Sequence, residues 1–216
     1  MSRIIWDKRG FTIAELLMAA LFGLILMAGL YGFFRDQLFN LVSQETKIAT
    51  LEEARGGLDL MVRELRNAGS WANGTAPAES TPAIDDPDND ADTVCNRVYA
   101  ATKKLIIVQM DLVPYDDDCI ETVKYELTGP ISNCPGSNII QRNDDCLVAN
   151  VVTPLGTEKL FSYYDSNNTD LGDNPSVLDD IKRIKITFRV QETNPNPKVG
   201  GTISSTLSSS VVLRNE

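Results

Sequence analysis

From Leu16 to Phe34 the chain reads "LLMAALFGLILMAGLYGFF", without one charged side chain. Coiled as a helix, this run rises about 28 Å, the thickness of a bilayer's hydrocarbon core. It therefore predicts a helix that crosses a membrane or is enclosed by other helices, and the rest of the chain must be arranged around it. The first ten residues carry Arg3, Lys8 and Arg9 against Asp7 alone, which predicts a cytoplasmic N-terminal end and an exported remainder. A cleaved secretory signal fits poorly. Its apolar region is about 7 to 15 residues long, whereas "RDQLFNLVSQE" continues the helical pattern here. One residue breaks the logic: Glu15 stands at the start of the run, and insertion scales put a carboxylate at the bilayer centre at about 2.5 to 3.5 kcal/mol.

Beyond residue 10 the balance is 17 basic to 29 acidic residues. Such a body is soluble and repels polyanions, which excludes a nucleic-acid binder. There is no histidine, so the commonest general base and zinc ligand are missing. The four cysteines, Cys95, Cys119, Cys134 and Cys146, all follow the apolar run and form no CxxC pair. In an exported domain that count predicts two disulfides.

Residues 35–69 predict an amphipathic continuation of the helix. Leu38, Leu41, Val42, Ile48, Leu51, Ala54, Leu58, Met61, Leu65 and Ala68 keep helical spacing, and charged residues fill the other face. The stripe is expected to pack on a sheet. Gly56-Gly57 weakens the middle by roughly 1 kcal/mol per glycine, and Gly69 suits the C-terminal stop.

Residues 70–103 read as an acidic loop. The stretch 70–96 has no lysine or arginine and carries six acids, within "ESTPAIDDPDNDAD". Asp86, Asp88, Asp90 and Asp92 alternate like the front of a calcium loop. Ala91 and Arg97 then occupy the glycine and glutamate positions that such a loop needs. A solvated loop is expected there, with calcium in another geometry left open and no other metal or cofactor foreseen. Residues 104–216 predict an antiparallel head built from runs at 104–112, 121–127, 138–142, 158–165, 181–191 and 206–215. The fold class is then α+β. Pairing 121–127 with 138–142 sets Cys119 opposite Cys146, and pairing 104–112 with 121–127 brings Cys95 towards Cys134. The expected bridges are 95–134 and 119–146, among three connectivities.

"KRGFTIAELL" resembles the processing site of type IV prepilins and pseudopilins: a short basic leader ending in glycine, then phenylalanine, then glutamate four residues on, inside an apolar helix. The resemblance implies that residues 1–10 are a leader removed after Gly10 by prepilin peptidase. Phe11 becomes the N-methylated terminus, and residues 11–34 serve as membrane anchor and filament core. It also gives Glu15 a partner, the amine of a neighbouring subunit's Phe11, which offsets the cost of burying the carboxylate and sets axial register. Major pilins commonly have a proline in this helix. The matching position here is Gly32, with Gly23 and Gly29 nearby. "EEARGGLDLMVRELRNAG", "LFSYYD", "DIKRIKITFRVQ" and "SSSVVLRNE" are similar to PilW-type minor pilins, related to the J-type pseudopilin of type II secretion.

The resemblance implies a structural, non-enzymatic subunit. It would lie in the bacterial inner membrane and then in a pilus or pseudopilus, contacting other minor pilins, the major pilin and the assembly platform. The alternatives are a minor pseudopilin of type II secretion and, from another class, a membrane-anchored exported binding module. An enzyme would have to work without histidine. The serines of "SSTLSSSV" (204–211) come with no neighbouring base to activate them.

Overall fold

The computed structural model describes residues 11–71, 96–110, 121–132, 134, 136–152 and 159–213. One helix, α1 (Ile13–Asn67), precedes nine strands. They are β1 (Val98–Ala101), β2 (Leu105–Met110), β3 (Glu121–Thr128), β4 (Ile139–Arg142), β5 (Asp145–Val148), β6 (Val151–Val152), β7 (Phe161–Tyr164), β8 (Arg183–Thr193) and β9 (Thr202–Val212). The α+β expectation holds.

The helix has 55 residues, a length of about 82 Å. It begins with a capping box: the Thr12 hydroxyl accepts the Glu15 amide at 3.3 Å, and the Glu15 carboxylate accepts the Thr12 amide at 2.9 Å. Each satisfies a backbone donor that a helix start would leave orphaned. At the other end Gly69 turns with φ +71°, a conformation cheap only without a Cβ. Its amide then donates to the Gln109 carbonyl at 2.9 Å, tying the end of the helix to β2.

The strands form two antiparallel sheets. The first is a meander, β1-β2-β3-β4-β5. In the second, β8 pairs with β6 and β7 along one edge and with β9 along the other. The Tyr163 hydroxyl joins the sheets by donating to the Thr102 and Leu105 carbonyls at 2.7 and 3.1 Å. A single core results, in which Met61 and Leu65 of α1 meet Ile106, Tyr125 and Ile140 of one sheet and Phe161, Ile184 and Phe188 of the other. Burying each such side chain contributes about 1.5 to 3 kcal/mol.

The head covers only part of the predicted stripe. Ala54, Leu58, Met61, Leu65 and Ala68 are buried, but Leu38, Leu41 and Ile48 are 56 to 62% exposed. The β8–β9 connection reaches this part of the helix: Asn194 and Asn196 meet Ser43 and Asn40 at 3.1 Å each, and Lys198 pairs with Asp36. The tail of the predicted acidic loop is also corrected, because residues 98–101 form β1 against β2.

Gly56 and Gly57 differ in what surrounds them. A Cβ on Gly56 would meet nothing within 4 Å, whereas one on Gly57 would overlap Val148 Cγ2 of β5. Gly56→Ala is expected to stabilise the protein by about 0.5–1 kcal/mol through helix propensity. Gly57→Ala is expected to destabilise it by about 1–2 kcal/mol, because a buried valine has no room to yield. Urea denaturation of both variants checks the sign difference.

Candidate assembly helix and its attachment to the head

Every residue from Phe11 to Arg35 is exposed, although Phe11, Leu17, Phe22, Leu26, Leu30 and Phe34 are all strongly apolar. The helix is long and apolar enough to cross a membrane, with a mean hydropathy of 2.3 over its most apolar window. Its uncharged run stops at Arg35, whose guanidinium sits 5.5 Å above the Phe39 ring, and Asp36 follows with its Lys198 partner. The change from apolar to ionic surface thus coincides with the first contact of the head.

At the start of the run Phe11 is 89% exposed. Glu15 lies one helical turn inward, where its carboxylate also accepts the Thr12 hydroxyl at 3.0 Å. The sequence reading overlooked this local bond, although "TIAE" (residues 12–15) spells the Thr-x-x-Glu capping signature. Gly10 and the rest of the expected leader lie outside the described residues.

A buried ionic cluster locks the head onto the helix. The Glu64 carboxylate accepts the Arg142 Nε–H at 3.2 and 2.9 Å through its two oxygens, and it accepts the Tyr125 hydroxyl as well. Tyr125 on β3 and Arg142 on β4 are cross-strand partners, so register alone places both on one spot of α1. Tyr125 is fully buried and Glu64 only 9% exposed. Burial first, then the Glu64 carboxylate, pushes the Tyr125 hydroxyl far above the ordinary phenol range. The Glu64 hydrogen bond likewise raises Arg142. The sequence reading missed Glu64. The signal was its offset of three residues from Met61, on the buried side of the stripe.

The disulfide pattern differs from the expectation. Cys134 is bonded to Cys146, with Cα atoms 5.8 Å apart, so neither 95–134 nor 119–146 exists. The reason is a hairpin the strand reading did not include. Asn143 and Asp144 take φ of +45° and +71°, reversing the chain in the two-residue turn that Asn and Asp tolerate. Cys146 therefore lies on β5 opposite Gln141 of β4, away from the β3 side where Cys119 was expected. Closing a loop of this size contributes about 2–3 kcal/mol. Cys95 and Cys119 lie outside the described residues, as do Asp86, Asp88, Asp90 and Asp92. Among the described residues no group of three or more potential metal ligands comes together.

Comparisons with protein-family models, with curated proteins and with solved structures give no match.

Proposed function

We propose that this chain is a minor pilin. It is inserted in the bacterial inner membrane with its leader in the cytoplasm and cleaved after Gly10 by prepilin peptidase. Phe11 is then N-methylated. Residues 11–34 pass from lipid into the core of a type IV pilus, which the subunit initiates or caps together with other minor pilins and the major pilin.

One observation carries the reading: an uncharged helical run that the head leaves entirely uncovered begins beside a glutamate four residues after a Gly-Phe junction. Apolar surface of this extent needs lipid or other helices around it. Glu15 needs a cation once it is there, and a free Phe11 amine is the cation the processing step creates. The exposed Leu38, Leu41 and Ile48 extend the same uncovered surface beyond the bilayer, as helix packing in a fibre requires and a lone anchor does not. A minor pseudopilin of type II secretion would use the same helix and the same cleavage in a different machine.

Intact mass and N-terminal sequence of the protein from native membranes or sheared filaments test this. The expected start is Phe11, carrying one added methyl group. An intact Met1 in cells with active peptidase would overturn the filament reading and leave a membrane-anchored exported binding module. A start beyond Gly29 would mean an ordinary signal peptide.

A further inference from the structure

The outer face of the β8–β9 hairpin has a charge opposite to that of the protein. Along β8 the buried residues Ile184, Ile186, Phe188 and Val190 alternate with Arg183, Lys185, Thr187 and Arg189, which point away from the core. The residues beside the three cations on β9 are Val212, Ser210 and Thr206, and those on β7 and β6 are Tyr164, Ser162 and Val152. Among the described residues no carboxylate stands directly beside the three cations; the nearest in these rows, Asp170, bridges Tyr164 on the far side of β7 and pairs with Lys159 at 3.8 Å. Among the described residues none of the three cations has an ion-pair partner, in a chain of net charge -10.

One of the cations is also held in place. The Arg183 guanidinium lies 4.2 Å from the centroid of the Tyr164 ring, which fixes its plane at little further entropic cost. The Nε atoms of Arg183 and Arg189 are enclosed without an acceptor. Next to this face, β9 is an edge strand: it pairs with β8 alone among the described residues. Its eleven residues contain no charge and no proline, two of the usual guards against strand addition.

We propose that this face and edge form a docking surface for an extended, acidic protein segment with carboxylates at alternate positions. Backbone hydrogen bonds to the β9 edge would hold the segment as an added strand. Its carboxylates would then repeat about every 7 Å, the spacing of alternate side chains on β8. They would lie two strands from the cations, about 10 Å, within the combined reach of a lysine or arginine and a glutamate. The serine and threonine hydroxyls of β9 fill the intervening row. The occupant is a protein segment and not a nucleic acid, because the open β9 edge pairs only with a peptide backbone. A neighbouring subunit, held beside this one by its own membrane helix, is the expected carrier. Only that identity of the carrier rests on the filament reading; the surface chemistry does not.

The test uses the full-length chain in neutral detergent and a labelled ten-residue peptide of alternating Thr and Glu, followed by fluorescence anisotropy. Saturable binding is expected, weakened about tenfold or more by the combined Arg183→Gln, Lys185→Gln and Arg189→Gln substitutions. The alternating Thr-Gln peptide, and a Thr-Glu peptide N-methylated at alternate residues, should lose binding to a similar extent. Lys47→Gln, on the exposed helix, should change nothing, and circular dichroism should show the triple variant folded. Equal binding of the Thr-Gln peptide, no binding at all, or tighter binding of a ten-nucleotide oligothymidylate with the same residue dependence would each overturn the proposal. None of these results depends on whether residues 1–10 are removed.

Discussion

Replacing Glu15 by glutamine is expected to remove the protein from filaments while leaving its helix, its membrane insertion and its cleavage after Gly10 unchanged. Glu15 has two possible duties, and this substitution separates them. In the structure its carboxylate closes a capping box with Thr12, a duty glutamine can perform. In the proposed fibre it also pairs with a neighbouring Phe11 amine, and glutamine cannot do that. An amine left unpaired in an apolar helix bundle costs on the order of 3 kcal/mol, equivalent to about a hundredfold in incorporation. Glu15→Ala should fail as well, adding the loss of the cap. Immunoblots of sheared filaments against the membrane fraction measure the effect. Wild-type incorporation of the glutamine variant, with failure of the alanine variant alone, would reduce Glu15 to a helix-starting residue and sink the charge-pair model.

The second large effect is on the fold. Glu64→Ala should destabilise the protein by about 2–4 kcal/mol, since it strands an arginine and a buried tyrosine hydroxyl that share one carboxylate. Partial exposure of the Arg142 side chain, 34%, keeps the cost from the top of the range for buried pairs. The same cluster predicts a pH dependence. The Tyr125 hydroxyl is raised in the folded state, so above the unfolded phenol pKa of about 10 the unfolded chain releases a proton that the native chain keeps. Stability is therefore fully present below about pH 10 and falls as pH rises beyond it. Tyr163, raised by its own burial, acts in the same direction. Tyr125→Phe should make the alkaline slope shallower by one proton, about 1.4 kcal/mol per pH unit, although it loses the hydroxyl's bond to Glu64. Urea denaturation between pH 8 and 11 reads both effects. Identical slopes for Tyr125→Phe and wild type would show that the hydroxyl is not the group that titrates late.

Much of the architecture could be read residue by residue. The helix end at Gly69 and the alternation through Ile184, Ile186 and Phe188 were legible because each follows from local geometry: a left-handed cap and a period of two. The runs at 121–127 and 138–142 are indeed neighbours, with Tyr125 opposite Arg142. Short strands were harder to find. β1, β5 and β6 have four, four and two residues, and each is fixed by the hydrogen-bonding edge of the strand beside it, β2, β4 and β8. Missing β5 was enough to misassign the disulfides.

What the sequence determined by itself was the apolar helix: its length, the basic residues before it, its glutamate and its Thr-x-x-Glu start all lie within one contiguous segment, where local spacing is the whole of the physics. What only the tertiary structure decided was everything that joins distant residues. Glu64 meets Tyr125 and Arg142, Gly57 makes room for Val148, Cys134 chooses Cys146, and three cations gather on one face of β8. Each depends on strand register and on which turn reverses the chain. Those are set by the packing of the whole core, and no local pattern records them.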